Sequence, residues 1–174
     1  MGILQNKPSE MSKADFIGHF RDIYEHSEWL AEAAWQVIQA DQERTRYDQR
    51  EVFQGLLKSL VDECDDEVKL ALLRLHPDLA GKAALSGNLT DASTSEQAGA
   101  GLDHCTADEL ARFANYNDAY KSKFGFPFIM AVKGATKLNI LAGFEARIDN
   151  SVSEEFQMAL TQVHKIAEFR LADK

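Results

Sequence analysis

The chain has 174 residues, 45% hydrophobic and 27% charged. That composition suits one globular domain with room for a sizeable core. Its formal net charge of −9 argues against a nucleic-acid partner, because holding a polyanion needs a basic face. A small anion bound by one or two arginines stays compatible with it. No apolar run approaches the roughly 20 residues of a membrane-spanning helix, so no membrane partner is expected. Met1–Glu10 also lacks the apolar stretch of a secretory signal, which points to a cytoplasmic protein. The first ten residues are read as a flexible N-terminus and residues 11–174 as a single all-α, multi-helix domain. Cys64 and Cys105 are too few for a disulfide scaffold and lack metal-ligand spacing, so they read as buried or half-buried thiols.

Helical periodicity runs through the chain. Ser12 with Asp15 resembles a capping box, and Phe16, Phe20, Ile23 and Tyr24 follow on one face. A second pattern starts near Ser27 and runs through Trp29, Leu30, Ala33, Ala34, Val37 and Ile38. The charged stretch from Asp41 to Asp48 links it to a third, with Val52, Phe53, Leu56, Leu57, Leu60 and Val61. After an interruption at Cys64-Asp65-Asp66, a short helix from Glu67 to Leu75 is predicted to stop at His76. Thr106 and Glu109 form a capping box for a helix with Leu110, Phe113, Asn117, Tyr120 and Phe124 on one side. Gly125 ends it, since glycine tolerates the left-handed conformation of helix exits. The run Phe126–Val132 is strand-like without a partner strand, and reads as an extended segment crossing the core. Thr136–Ile148 returns to helix. Ser151 and Glu154 cap the last helix, which presents Phe156, Ala159, Leu160, Val163, Ile166 and Ala167.

Leu75–Gln97 carries too many breakers for a plain helix. Pro77 disfavours helical geometry at His76, and Gly81, Gly87 and Asn88 mark turns. An imidazole is the side chain that titrates nearest neutrality, so His76 at a helix exit reads either as a structural histidine or as an acid/base. His19, His26, His104 and His164 form no HExxH-type pair, and metal catalysis is unsupported. Glu96 and Gln97 are expected at the start of a short helix, with Ser93, Thr94 and Ser95 just upstream. One of those hydroxyls caps the helix, or the carboxylate and amide meet a ligand at the helix terminus; the two readings are compatible. The unpaired N–H and C=O groups of the Phe126–Val132 run must find partners, in the protein or in a planar, amide-rich ligand. Arg170 shares the apolar stripe of the last helix with Val163 and Ile166. A buried guanidinium demands a carboxylate, from the protein or from a ligand. Arg147, three residues after Phe144, is the alternative for the same task.

Three blocks stand out in order: HPDLAGK from His76, LT-x-x-S-x-x-EQAGAGL from Leu89, and YKSKFGFPFIMAV from Tyr120. They resemble the signature blocks of the 2-oxo-4-hydroxy-4-carboxy-5-ureidoimidazoline (OHCU) decarboxylases, which act between urate and allantoin. Weaker similarity extends from about Phe16 to Leu171. The resemblance implies a cofactor-independent carboxy-lyase acting on a small ureidoimidazoline. It makes His76 the acid/base and Glu96 the second catalytic group. Pro77 becomes a pocket wall, and Ser93, Thr94, Ser95 and Gln97 a substrate-binding segment. The stretch Phe128, Ile129, Met130, Ala131 and Val132 would contact the substrate ring, and Arg170 would lie near the substrate. It further implies a homodimer. Some eukaryotic members end in a peroxisomal tripeptide, which the C-terminal LADK is not, in keeping with a cytoplasmic setting. Two other classes are weighed against this: a non-catalytic helical binding module, and a ureide hydrolase that would release ammonia rather than CO2.

Overall fold

A computed structural model of the chain describes residues 2–81 and 87–174. Among them are eight α-helices and three short 3-10 turns, and pairing between extended segments is limited to one isolated antiparallel bridge, Ile3–Gln49. The chain is all-α, as its periodicity requires. The helices are α1 (Lys13–Phe20), α2 (Glu28–Ala40), α3 (Arg50–Asp62), α4 (Asp66–Arg74), α5 (Asp91–Gly99), α6 (Ala107–Phe124), α7 (Lys137–Arg147) and α8 (Val152–Ala172). They gather into two compact units. One comprises residues 1–69 and 164–174, the other residues 70–163.

In the first unit, the Ser12 hydroxyl accepts the Asp15 N–H at 3.2 Å and so starts α1 where the sequence indicates. Phe16 and Phe20 are buried one turn apart and meet Phe53 of α3 at centroid distances of 5.7 and 4.8 Å. Both pairs are edge-on, the arrangement that ring quadrupoles favour. On α2 the buried stripe is Leu30, Ala31, Ala34 and Ile38. It turns toward Ala31, so Trp29 and Val37, expected within it, are 39% and 36% exposed on its edge. The Asp41–Asp48 linker contains a 3-10 turn, Arg44–Asp48. There the hydroxyl of buried Tyr47 donates to Asp41 Oδ2 at 3.0 Å. Leu4 is buried, and its N–H donates to the Asp48 carbonyl at 2.9 Å. Pro8–Glu10 forms a single 3-10 turn.

The last turns of α8 carry a relay of polar groups within this unit. His164 Nε2 lies 3.1 Å from Asp62 Oδ1, and Nδ1 lies 2.8 Å from the Tyr24 hydroxyl. A carboxylate can only accept, so Nε2 carries the hydrogen and Nδ1 accepts from the tyrosine. Burial lowers the His164 pKa below its ordinary value of 6.5, and the nearby Asp62 carboxylate opposes that shift only in part. The unfolded chain therefore binds the proton at a higher pH than the folded one, and stability rises with pH across that window. The contribution is complete above the ordinary histidine value and is lost as pH falls toward the folded-state pKa. Urea midpoints compared at about pH 7 and about pH 5 should fall further for the wild type than for His164→Gln.

The second unit is ordered by clear helix-end signals. Thr106 and Glu109 cap α6 reciprocally. Gly125, at φ +79°, ends it with its N–H on the Lys121 carbonyl at 2.9 Å. Thr136 caps α7 in the same way, with Asn139 as its partner. Ser151 Oγ accepts the Glu154 N–H at 3.3 Å, and Glu154 Oε2 accepts the Ser151 N–H at 2.9 Å.

The buried run Phe126–Ile129, with Ala131 and Val132, belongs to no helix or strand. Phe128 stacks on Phe144 of α7, with centroids 3.8 Å apart and planes at 22°. The contact is close because α7 carries Gly143 at this level. A Cβ there would sit 3.2 Å from Met130 Sδ and 3.3 Å from Phe128 Cζ.

Candidate active site

His76 leaves α4 with its N–H on the Leu73 carbonyl at 3.2 Å, and the residue is 7% exposed. Nδ1 lies 3.1 Å from the Leu72 carbonyl oxygen. A carbonyl only accepts, so Nδ1 bears a hydrogen. Pro77 follows with its fixed φ, and the chain then makes a tight turn. Ala80 sits at φ +51°, a conformation that an L-alanine adopts only where its surroundings impose it. Gly81 is required by proximity, since a Cβ there would lie 2.5 Å from Asp78 Cβ. Lys82, which ends the HPDLAGK block, falls outside the described residues.

Helices α5 and α6 supply what imposes this turn. Gln97 Oε1 accepts the Ala80 N–H at 3.0 Å, and Gln97 Nε2 donates to the Asp78 carbonyl at 3.3 Å. Asn117 Nδ2 donates to the Leu79 carbonyl at 2.9 Å. One turn further along α6, Lys121 pairs with Asp78 Oδ2 at 2.5 Å. Three backbone groups of the turn and the Asp78 carboxylate thus meet side chains from α5 and α6, one way in which buried backbone is kept satisfied.

The predicted start of α5 is corrected by the structure. Thr90, not Ser93, Thr94 or Ser95, is the N-cap, and its hydroxyl accepts the Ser93 N–H at 3.2 Å. Asp91 in the first turn suits the positive helix end. Glu96 and Gln97 therefore lie within α5, away from its N-terminal N–H groups. Ser93 and Gln97 are one turn apart and both buried, at 4% and 5% exposure. Glu96 is half-buried beside Gln97, while Thr94 and Ser95 are exposed.

The Phe128–Val132 stretch finds protein partners for at least three of its backbone groups, one of them the Val132 carbonyl, which accepts the Ala135 N–H at 2.9 Å. The Ile129 carbonyl accepts from Arg147 at 2.8 Å, and the Ala131 N–H donates to Gln162 Oε1 at 3.0 Å. The Arg147 guanidinium also lies 4.4 Å from the centre of the Phe128 ring. Its charge is met by Glu155, which is fully buried and accepts Arg147 Nε at 2.8 Å. The same carboxylate accepts the Tyr120 hydroxyl and, at 2.8 Å, Asn150 Nδ2. Burial and this neighbour raise the Tyr120 pKa, so the phenol stays a neutral donor. Arg147, the alternative arginine for a ligand carboxylate, is thus tied to a protein carboxylate.

Arg170 belongs to the first unit, where it pairs with buried Glu25 at 2.8 Å and donates to the Asp22 carbonyl at 3.1 Å. His76, Pro77, Ser93, Thr94, Ser95, Glu96, Gln97 and Phe128–Val132 all belong to the second unit. Among the described residues, no three His, Cys, Asp or Glu side chains gather where they could hold a metal ion. Nor, among those residues, is any helix long and apolar enough to cross a membrane. Sequence reasoning passed over Asn117, Lys121 and Glu155. Asn117 was legible in principle: it is a polar residue on the apolar stripe of its helix, the same signal that singled out Arg170.

The sequence model of the OHCU decarboxylase family matches residues 9–172. A curated 2-oxo-4-hydroxy-4-carboxy-5-ureidoimidazoline decarboxylase of Haloferax volcanii is 40% identical over 159 residues, which is 91% of this chain and 88% of its own. Another of that name, from Halalkalicoccus jeotgali, is 38% identical over 95% of this chain and 88% of its own. Among solved structures, an (S)-allantoin synthase superposes with a TM-score of 0.76 at 31% identity, covering 98% of this chain. This chain spans 54% of the length of that solved protein. The match over nearly the whole length, with the His76 turn and α5 inside it, places the chain in the OHCU decarboxylase family.

Proposed function

We propose that the protein decarboxylates 2-oxo-4-hydroxy-4-carboxy-5-ureidoimidazoline to (S)-allantoin and CO2, with His76 as the acid/base. The observation that carries this reading is the buried imidazole of His76, whose Nδ1 is committed to the Leu72 carbonyl at 3.1 Å. That bond fixes the tautomer and the orientation of the ring. When the carbon–carboxylate bond breaks, its electron pair passes into the adjacent ring C=N, whose nitrogen takes up a proton. The ring hydroxyl then gives up its proton and becomes a carbonyl, while the neighbouring carbon gains one. The substrate is its own electron sink, so the protein's task is to move protons and to choose a face.

His76 and Glu96 are assigned to those proton movements, Glu96 being supported by its place beside Gln97 on α5. Pro77 and Ser93 line the same segment, and Phe128 and Ile129 supply apolar wall from which water is excluded. Ser95, Thr94, Met130, Ala131 and Val132 keep the contacts that the family likeness implies. Arg170 is retained as a substrate contact only if a ligand carboxylate competes with Glu25 for it. The homodimer and the cytoplasmic setting come with the same likeness.

The test generates the unstable intermediate freshly from urate, adds the protein, and follows allantoin by circular dichroism together with CO2 and ammonia. The expected result is accelerated, one-handed allantoin with CO2 released. Decay no faster than the spontaneous rate would remove the enzyme reading, and ammonia in place of CO2 would favour a hydrolase.

A further inference from the structure

We propose that Asn117 is a positioning residue for His76, acting through the Pro77–Ala80 turn. This rests on the decarboxylase reading for its effect on rate, but the geometry behind it does not. The turn begins at the residue after His76 and is held at three successive backbone positions by two side-chain amides. Gln97 takes the Asp78 carbonyl and the Ala80 N–H, and Asn117 takes the Leu79 carbonyl between them at 2.9 Å. Lys121, one turn after Asn117 on α6, adds the ion pair to Asp78. Pro77 has a single φ well, so a displacement of residues 78–80 passes back to His76 with little slack.

Two observations say that this shape is imposed rather than intrinsic. Ala80 lies at φ +51°, a state that persists only where neighbours over-determine it. Asn117 is 2% exposed, with Oδ1 unpaired among the described residues. An apolar residue would fill that place on the stripe of Phe113, Tyr120 and Phe124 without stranding an acceptor. What the asparagine adds is the donor on the Leu79 carbonyl. A catalytic group must be held within a fraction of an ångström of its productive place, and a small misplacement from a remote change costs up to about 10²-fold in rate. Asn117 is therefore expected to act on turnover, not on substrate capture.

The experiment uses the full chain and three variants: Asn117→Ala, His76→Asn and the double variant. Asn117→Ala is expected to lower kcat by about 10²-fold with KM little changed at a temperature well below its melting point. In the His76→Asn background it should cost nothing further, because a residue that acts through another shows full coupling. Histidine-selective NMR of the resting protein supplies a readout independent of activity. The His76 ring signals should shift or broaden in Asn117→Ala while those of His164 do not. Asn117→Ser, smaller but still a donor, should fall between wild type and alanine, and covers the case in which alanine does not fold. Unchanged His76 signals, or an equal loss of kcat in both backgrounds, would overturn the proposal. A wild type without decarboxylase activity would sink the functional reading instead, and the NMR comparison would still decide this one.

Discussion

His76→Asn is expected to fold as the wild type does and to lose between ~10² and ~10⁴-fold of the rate, the range that positioned acid–base help supplies. Asparagine keeps a side-chain amide near the Leu72 carbonyl but has no nitrogen that titrates. The native Nδ1 contact at 3.1 Å thus keeps a chemically similar partner, while Nε2 disappears. The handedness of the product should go with the rate, since spontaneous decay of the intermediate adds its proton from either face. The measurement is the circular dichroism of allantoin formed from freshly oxidised urate, alongside a denaturation curve on the same sample. A variant that stays folded yet keeps both rate and handedness would take the acid/base role away from His76.

The largest expected loss of stability is at Glu155, which takes no part in the proposed proton movements. Its carboxylate is fully buried and is shared by Arg147, Tyr120 and Asn150. Glu155→Ala would leave the Arg147 guanidinium, itself 11% exposed, without its counter-charge. Breaking one side of a buried pair typically costs about 3–5 kcal/mol, a large share of the roughly 5–15 kcal/mol by which domains are stable. The urea midpoint should fall accordingly. Glu155→Gln, which keeps the shape and an acceptor, should lose less. Arg147→Met combined with Glu155→Leu should be more stable than Glu155→Ala, because removing both charges strands neither. The Ile129 carbonyl would lose its 2.8 Å donor in that double variant, so recovery should stop short of the wild type.

How far the chain could be read depended on whether a signal was local. Helix ends were legible where one cap had no rival: Thr106 with Glu109, Ser12 with Asp15, and Gly125 at a left-handed exit all stand where the sequence indicates. The start of α5 was not, because Thr90, Ser93, Thr94 and Ser95 all offer capping oxygens within two turns. Only the three-dimensional path of the chain selects Thr90. The edge positions Trp29 and Val37 were misplaced for a related reason. Periodicity fixes the width of a buried stripe better than its centre. At the site, His76 was legible from the proline that follows it and from the family blocks. The roles of Gln97 and Asn117 as ties on residues 78–80 were not, since each joins backbone groups 17 to 38 positions away. A carboxylate and an arginine eight positions apart, Glu155 and Arg147, were equally hidden, because the intervening chain leaves one helix before entering the next.

Gly143 has a bearing on how such a protein can diverge. Its missing side chain lets α7 lie against Phe128 and Met130 at 3.2–3.3 Å from where a first carbon would stand. A single added methyl must displace either an aromatic ring stacked at 3.8 Å or the thioether beside it. Mutational drift at this position is therefore not free: alanine there requires the Phe128 ring and the Met130 thioether to give by a few tenths of an ångström. What residues 128 and 130 can yield thus bears on what position 143 accepts, and with it on how the Phe128–Val132 stretch can be repacked.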